Sequence, residues 1–260
     1  FASPEQLVQE TKPDYVVVSV SRKSGVARQI TAQLAEMGVP VLMETPPADS
    51  LEDLTEFYKQ CGQAKIQVAE QYQFQPKVWG AQYVHQRMSA PGRDGDTVSE
   101  EMISVKQMVF HLDYGEKQAF NDLEGDQCRA WIRREHYNIR GDRGEVYDDE
   151  VYYMEDFLTP VHYSLERMMT GAGTNLEGSF LRGVRGQDGR VYENPFRPAR
   201  MFDDEIAVAT CMQKMAEYVQ GGPDFYSLAE AMQDRYLALL TVQSAKEGKV
   251  LEASPQIWMK

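Results

Sequence analysis

The sequence predicts an α/β protein in which a parallel βαβ unit is followed by an α+β unit with a mostly antiparallel sheet. Three observations carry this expectation. Strand-like and helix-like patterns alternate from Pro13 to Ala69. A Pro/Gly/Asp-rich break then stands at Ala90–Asp96. Beyond it hairpin signals follow one another, and two long amphipathic helices close the chain. The division into domains is set between residues 76 and 77, giving 1–76 and 77–260.

The elements follow in order. Ser3-Pro4 starts a first helix, with Ser3 as cap and Pro4 at the first helical position. Tyr15-Val16-Val17-Val18-Ser19-Val20 is a β-branched run of the kind buried on both faces of a sheet. Val26, Ile30, Leu34 and Met37 then share one helical face, and Gly38 suits a left-handed helix end. Val39–Met43 is a second buried strand, stopped by Glu44-Thr45-Pro46-Pro47. Asp49 or Ser50 caps a helix running to Cys61, with Leu51, Leu54 and Tyr58 on one face and Gly62 at its end. Lys65–Ala69 is a third strand and delivers Glu70-Gln71-Tyr72 to the same edge as Glu44. Strand, helix and strand at this spacing make a right-handed crossover, and ligands bind beyond the carboxyl ends of such strands.

Pro76–Met88 fits one more helix leading out of this unit. Ile103–Tyr114 and Gln118–Leu123 flank the turn at 114–117. Gly141-Asp142-Arg143-Gly144 and Gly186-Gln187-Asp188-Gly189 mark two further hairpins. The closing helices span Asp203–Gln220 and Ser227–Glu247, with apolar faces long enough to cover a sheet.

Composition narrows the function classes. With 42% hydrophobic and 26% charged residues the chain reads as globular, and no apolar run approaches the ~18–20 residues of a membrane span. A net charge of −13 argues against nucleic-acid and anionic-membrane partners, which want a basic face. Cys61, Cys128 and Cys211 are widely spaced without a CxxC pattern, and residues 1–14 lack an apolar leader core. Free thiols in a cytoplasmic setting are therefore expected.

Several strings resemble the Gfo/Idh/MocA oxidoreductases, the family of glucose–fructose oxidoreductase and inositol dehydrogenase. They are PDYVVVSVSRKSGVARQITAQLAEMGVPVLMETPPA, the later VAEQYQFQP, and FYSLAEAMQDRYLALLTVQSAKEGK in the last helix. The resemblance implies a partial Rossmann domain binding NAD or NADP, then a domain with a large open sheet. It further implies hydride transfer to or from a sugar, cyclitol or related polyol, and a homo-oligomer. Its implied cofactor wall is Ser19, Ser21, Arg22, Glu44, Thr45, Pro46 and Gln71, with Tyr72 and His162 toward substrate.

Three departures qualify it. The family's opening strand and GxGxxG turn do not lie ahead of Asp14, and the expectation is that roughly the first third of such a domain is absent from these residues. The family's glutamate–lysine–proline triplet stands here as Glu44-Thr45-Pro46. Its second-domain histidine cannot be placed on His85, His111, His136 or His162, so the catalytic proton carrier is unassigned. The first two departures support an alternative expectation, a non-catalytic homologue kept as a scaffold. Asp148-Asp149-Glu150 offers carboxylates for a cation but lacks the spacing of a calcium loop, and no metal centre is expected.

Overall fold

A computed structural model describes residues 1, 3–20, 25–74, 107–124, 136–171 and 180–259. Ser21, Arg22, the helix expected at 76–88, His85, the break at 90–96 and Cys128 lie outside the described residues. The described chain forms two compact units. One takes its residues from 1–84, 167–184 and 190–260, the other from 85–166 and 185–189.

In the first unit, Ser3 Oγ accepts from the Gln6 N–H, Pro4 opens α1 (Pro4–Thr11), and Lys12 closes it in the left-handed region. Three parallel strands follow in spatial order β1 (Val16–Val18), β2 (Val41–Glu44) and β3 (Ile66–Ala69). They are joined by α2 (Val26–Glu36) and α3 (Leu51–Cys61). Register places Val17 beside Leu42, and Leu42 beside Gln67.

Alternation of side chains across the sheet builds two cores. Val41, Met43, Ile66 and Val68 face one way and pack with Leu34, Leu54, Phe57 and Met232. Leu42 faces the other way and packs with Cys211 and Met215. Burying an aliphatic side chain of this size stabilises by about 1.5–3 kcal/mol, so the central strand anchors both layers. The last two helices supply much of the cover: α4 (Asp203–Val219) on the Leu42 face and α5 (Leu228–Glu247) on the other. The helix pair thus sandwiches the parallel sheet.

Two expectations about faces are corrected. β1 was expected to be buried on both faces, yet Val17 is 44% exposed. It lies on the Leu42 face, which α4 reaches at Tyr15 and at β2, leaving Val17 uncovered. In α3 the buried stripe is Leu54, Phe57 and Cys61, with Leu51 turned outward and Tyr58 at the edge against Trp258. The caps match: Ser50 Oγ accepts from the Asp53 N–H, and Gly38 and Gly248 take positive φ.

β3 continues sideways into the approach to α5. The Gln67 side chain, 1% exposed, accepts from the Phe225 and Tyr226 N–H groups at 3.1 and 3.0 Å and donates to Asp224 at 2.5 Å. Ser227 then caps α5 and exchanges bonds with Glu230. Past Gly248 the chain returns along α5, burying Trp258, whose indole N–H donates to Gln233. A short sheet ordered β10 (Glu166–Thr170), β11 (Phe180–Gly186) and β12 (Gly189–Glu193) precedes α4. Arg167 pairs with Asp203 in the first turn of α4.

In the second unit β4 (Gln107–Asp113) and β5 (Gln118–Glu124) form a hairpin whose turn holds Gly115 at positive φ. β6 (Asn138–Gly141), β7 (Gly144–Tyr147), β8 (Glu150–Met154) and β9 (Pro160–Ser164) form an antiparallel meander. Ile139, Val146, Val151 and Val161 alternate with Arg140, Glu145, Tyr152 and His162, giving one apolar and one polar face. Asp148 belongs to the tight β7–β8 turn, where it accepts from the Tyr137 N–H. Among the described residues no helix is long and apolar enough to cross a membrane.

Candidate functional site

The carboxyl ends of β1 and β2 meet through side chains. Ser19, just past β1, donates from Oγ to Glu44 Oε1 at 2.9 Å, and both residues are exposed. The parallel pairing of β1 and β2, with Val18 opposite Met43, delivers both to the same edge. The bond occupies one carboxylate oxygen and leaves Oε2 open to a further donor.

The chain then turns through Thr45 and a cis peptide to Pro46, and Pro47 and Ala48 bury beneath the rim. α5 holds this turn from below: Arg235 donates from Nε to the Ala48 carbonyl at 2.9 Å and from a guanidinium nitrogen to the Asp49 carbonyl at 3.3 Å. At the start of the neighbouring helices, Arg28 of α2 pairs with Asp53 of α3. The Arg28 guanidinium holds the Asp53 carboxyl below its usual range; burial opposes it, and the Ser50 hydroxyl adds a smaller lowering. The rim is therefore tied at three points, by Ser19–Glu44, Arg28–Asp53 and Arg235.

Of the residues expected at the site, Ser19, Glu44, Thr45 and Pro46 stand together at this rim. Gln71 opens a 3-10 turn, Gln71–Phe74, at the exit of β3, and Tyr72 follows it in that turn. His162 belongs to the other compact unit. It sits within β9, where Tyr152 is its cross-strand partner and their rings stack at 4.2 Å. Its Nε2 lies 2.6 Å from Glu150 Oε2, while Ser164 Oγ donates to Glu150 Oε1 at 2.8 Å. These two bonds, His162 first, draw the Glu150 carboxyl below its ordinary range. Glu150 is thus engaged within the meander, and the Asp148-Asp149-Glu150 string is a turn and a strand start. Arg235 escaped sequence reasoning, since nothing local marks an arginine whose acceptors lie 187 and 186 residues away.

Residues 1–72 match the family model described as an oxidoreductase family with an NAD-binding Rossmann fold, GFO_IDH_MocA. No curated protein sequence matches the chain. Among solved structures it is similar to an oxidoreductase from Agrobacterium radiobacter in complex with NAD+, L-tartaric acid and magnesium. That likeness has 13% identity and a TM-score of 0.60, and covers 95% of this chain and 82% of that one. It is similar to levoglucosan dehydrogenase in complex with NADH and levoglucosan at 14% identity and a TM-score of 0.59, covering 99% and 84%. An oxidoreductase from Sinorhizobium meliloti matches at 12% identity and a TM-score of 0.51, covering 95% and 82%. At these identities the structures share the fold. The match to the GFO_IDH_MocA oxidoreductase family model is thus confined to residues 1–72, and the likeness over the rest of the chain is one of fold.

Proposed function

We propose that the protein is an NAD(P)-dependent oxidoreductase acting on a sugar, cyclitol or related polyol. The observation that supports this reading best is the family match over residues 1–72, which spans the whole strand-end rim. The donor set suits a nicotinamide nucleoside. Glu44 Oε2 accepts from a ribose hydroxyl or the carboxamide NH2, while Ser19 fixes the carboxylate through Oε1. Gln71 contributes a neutral amide from the neighbouring strand end. Bound there, the dinucleotide supplies hydride exchange with a carbinol carbon of the substrate.

Thr45 serves to orient. An aliphatic hydroxyl titrates far above neutral pH, and no base lies within hydrogen-bond reach of it among the described residues, so it does not carry the carbinol proton. Arg235, through the Ala48 and Asp49 carbonyls, holds the turn that carries Thr45 and Glu44 at the rim. Tyr72, in the turn that follows β3, is the residue assigned to the substrate side, and a homo-oligomer is the expected assembly.

A panel of cyclic and open-chain polyols, assayed for NAD+ or NADP+ reduction by the rise in reduced-nicotinamide absorbance, tests the reading. Turnover of at least one polyol, reduced by Glu44→Ala, is expected. A protein that binds the nucleotide yet oxidises no member of the panel would refute the proposed activity.

A further inference from the structure

A cavity of about 520 Å³ lies within the first unit, between the 3-10 turn after β3, β12 and α4. That volume is within the ~300–1,000 Å³ of small-molecule sites. Its walls are unusual for so acidic a chain, whose net charge is −13, because two cations line it, Arg190 and Lys214. Glu193 is the carboxylate of the lining, and it is already bridged by Arg190 and Arg197. Lys214 is different: it lies over the Phe74 ring at 5.6 Å and has no carboxylate partner among the described residues. Beside it the buried Gln73 Nε2 has no hydrogen-bond acceptor. Thr210 spends its hydroxyl proton on the Ile206 carbonyl at 2.7 Å, so it offers the cavity lone pairs only.

The cavity therefore holds an ammonium and an amide NH2 without acceptors, and a hydroxyl oxygen and a carboxylate able to accept. A buried donor without an acceptor costs free energy until a ligand supplies one. We propose that this cavity is a binding site for a small hydroxylated carboxylate of the sugar-acid type. The carboxylate group lies against Lys214 and Gln73, and hydroxyls donate to Thr210 and Glu193. Phe74 supplies the apolar wall. The site stands on these residues alone and does not depend on the dinucleotide reading.

Calorimetric titration without nicotinamide, using D-gluconate as probe and the neutral sorbitol as its control, tests this. Gluconate is expected to bind at least about tenfold more tightly than sorbitol, since one charge-assisted pair separates them. Lys214→Met, which keeps the stem over Phe74, is expected to lose that preference, and Gln73→Leu to weaken gluconate severalfold. Both variants should keep the wild-type melting temperature and wild-type NADH affinity, which separates failure here from failure of the dinucleotide site. Equal binding of the two probes, no gluconate binding by folded protein, or full affinity in Lys214→Met would each overturn the proposal.

Discussion

Glu44 is the residue on which the rim turns. It ends the central strand, receives Ser19 through one oxygen and presents the other outward. Replacing it by alanine removes the acceptor proposed for a ribose or amide hydrogen and frees Ser19. NADH affinity is expected to fall by roughly tenfold, the worth of one hydrogen bond to a charged group, as read by fluorescence titration. Ser19→Ala, which only loosens the carboxylate, should cost less. At the same scale, Glu150 offers a test in the second unit. Its folded carboxyl titrates below the unfolded value, so its contribution to stability is present above the ordinary glutamate range. That contribution disappears as pH falls through the folded pKa. Carboxyl NMR titration should find Glu150 among the low-titrating glutamates, and His162→Phe should raise its midpoint toward the ordinary value.

At the scale of elements, the join between β3 and α5 holds the sheet to its last helix. Gln67 satisfies two backbone N–H groups from within a buried strand. Gln67→Leu keeps the volume but orphans both donors, an expected loss of about 2–4 kcal/mol in denaturant unfolding. Ser227→Ala removes only a cap, at about 1 kcal/mol, so the two variants rank the join against the helix start. The starts and stops of helices were legible in the sequence, because Ser3, Ser50, Ser227, Gly38 and Gly248 act on their own neighbours. Faces were less legible: in α3 both Tyr58 and Phe57 fit a stripe through Leu54, and only packing chose Phe57. β8 and β9 were not anticipated, since EVYYM and PVHYS carry no long β-branched run and their pairing depends on partners across turns. Gln67 and Arg235 were invisible for the same reason, their partners lying far along the chain.

For the molecule as a whole, the C-terminal residues complete the core that the N-terminal residues begin. Trp258 is 4% exposed and meets Tyr58 and Tyr236 edge to face, so it closes the layer of α3 and α5. Trp258→Ala is expected to cost about 3–5 kcal/mol, lowering the melting temperature well beyond the effect of the Ser227 cap. Each of the two cores shields one thiol, Cys61 on the α5 face and Cys211 on the α4 face. Burial, with a smaller push from Glu36, raises Cys61 to about 11, and burial, with Glu70, raises Cys211 to about 12. In a Cys128→Ser background, native protein is expected to react slowly with a thiol reagent near pH ~8, and denatured protein quickly. The rim at Ser19, Glu44 and Thr45, proposed to hold the nicotinamide nucleotide, rests on this sandwich. Calorimetric titration of the wild-type protein and Glu44→Ala with NADH and NADPH tests that role. Micromolar binding of at least one nucleotide, weakened by Glu44→Ala at unchanged melting temperature, is the expected result. Folded protein that binds neither nucleotide, or binds them equally well without Glu44, would contradict it.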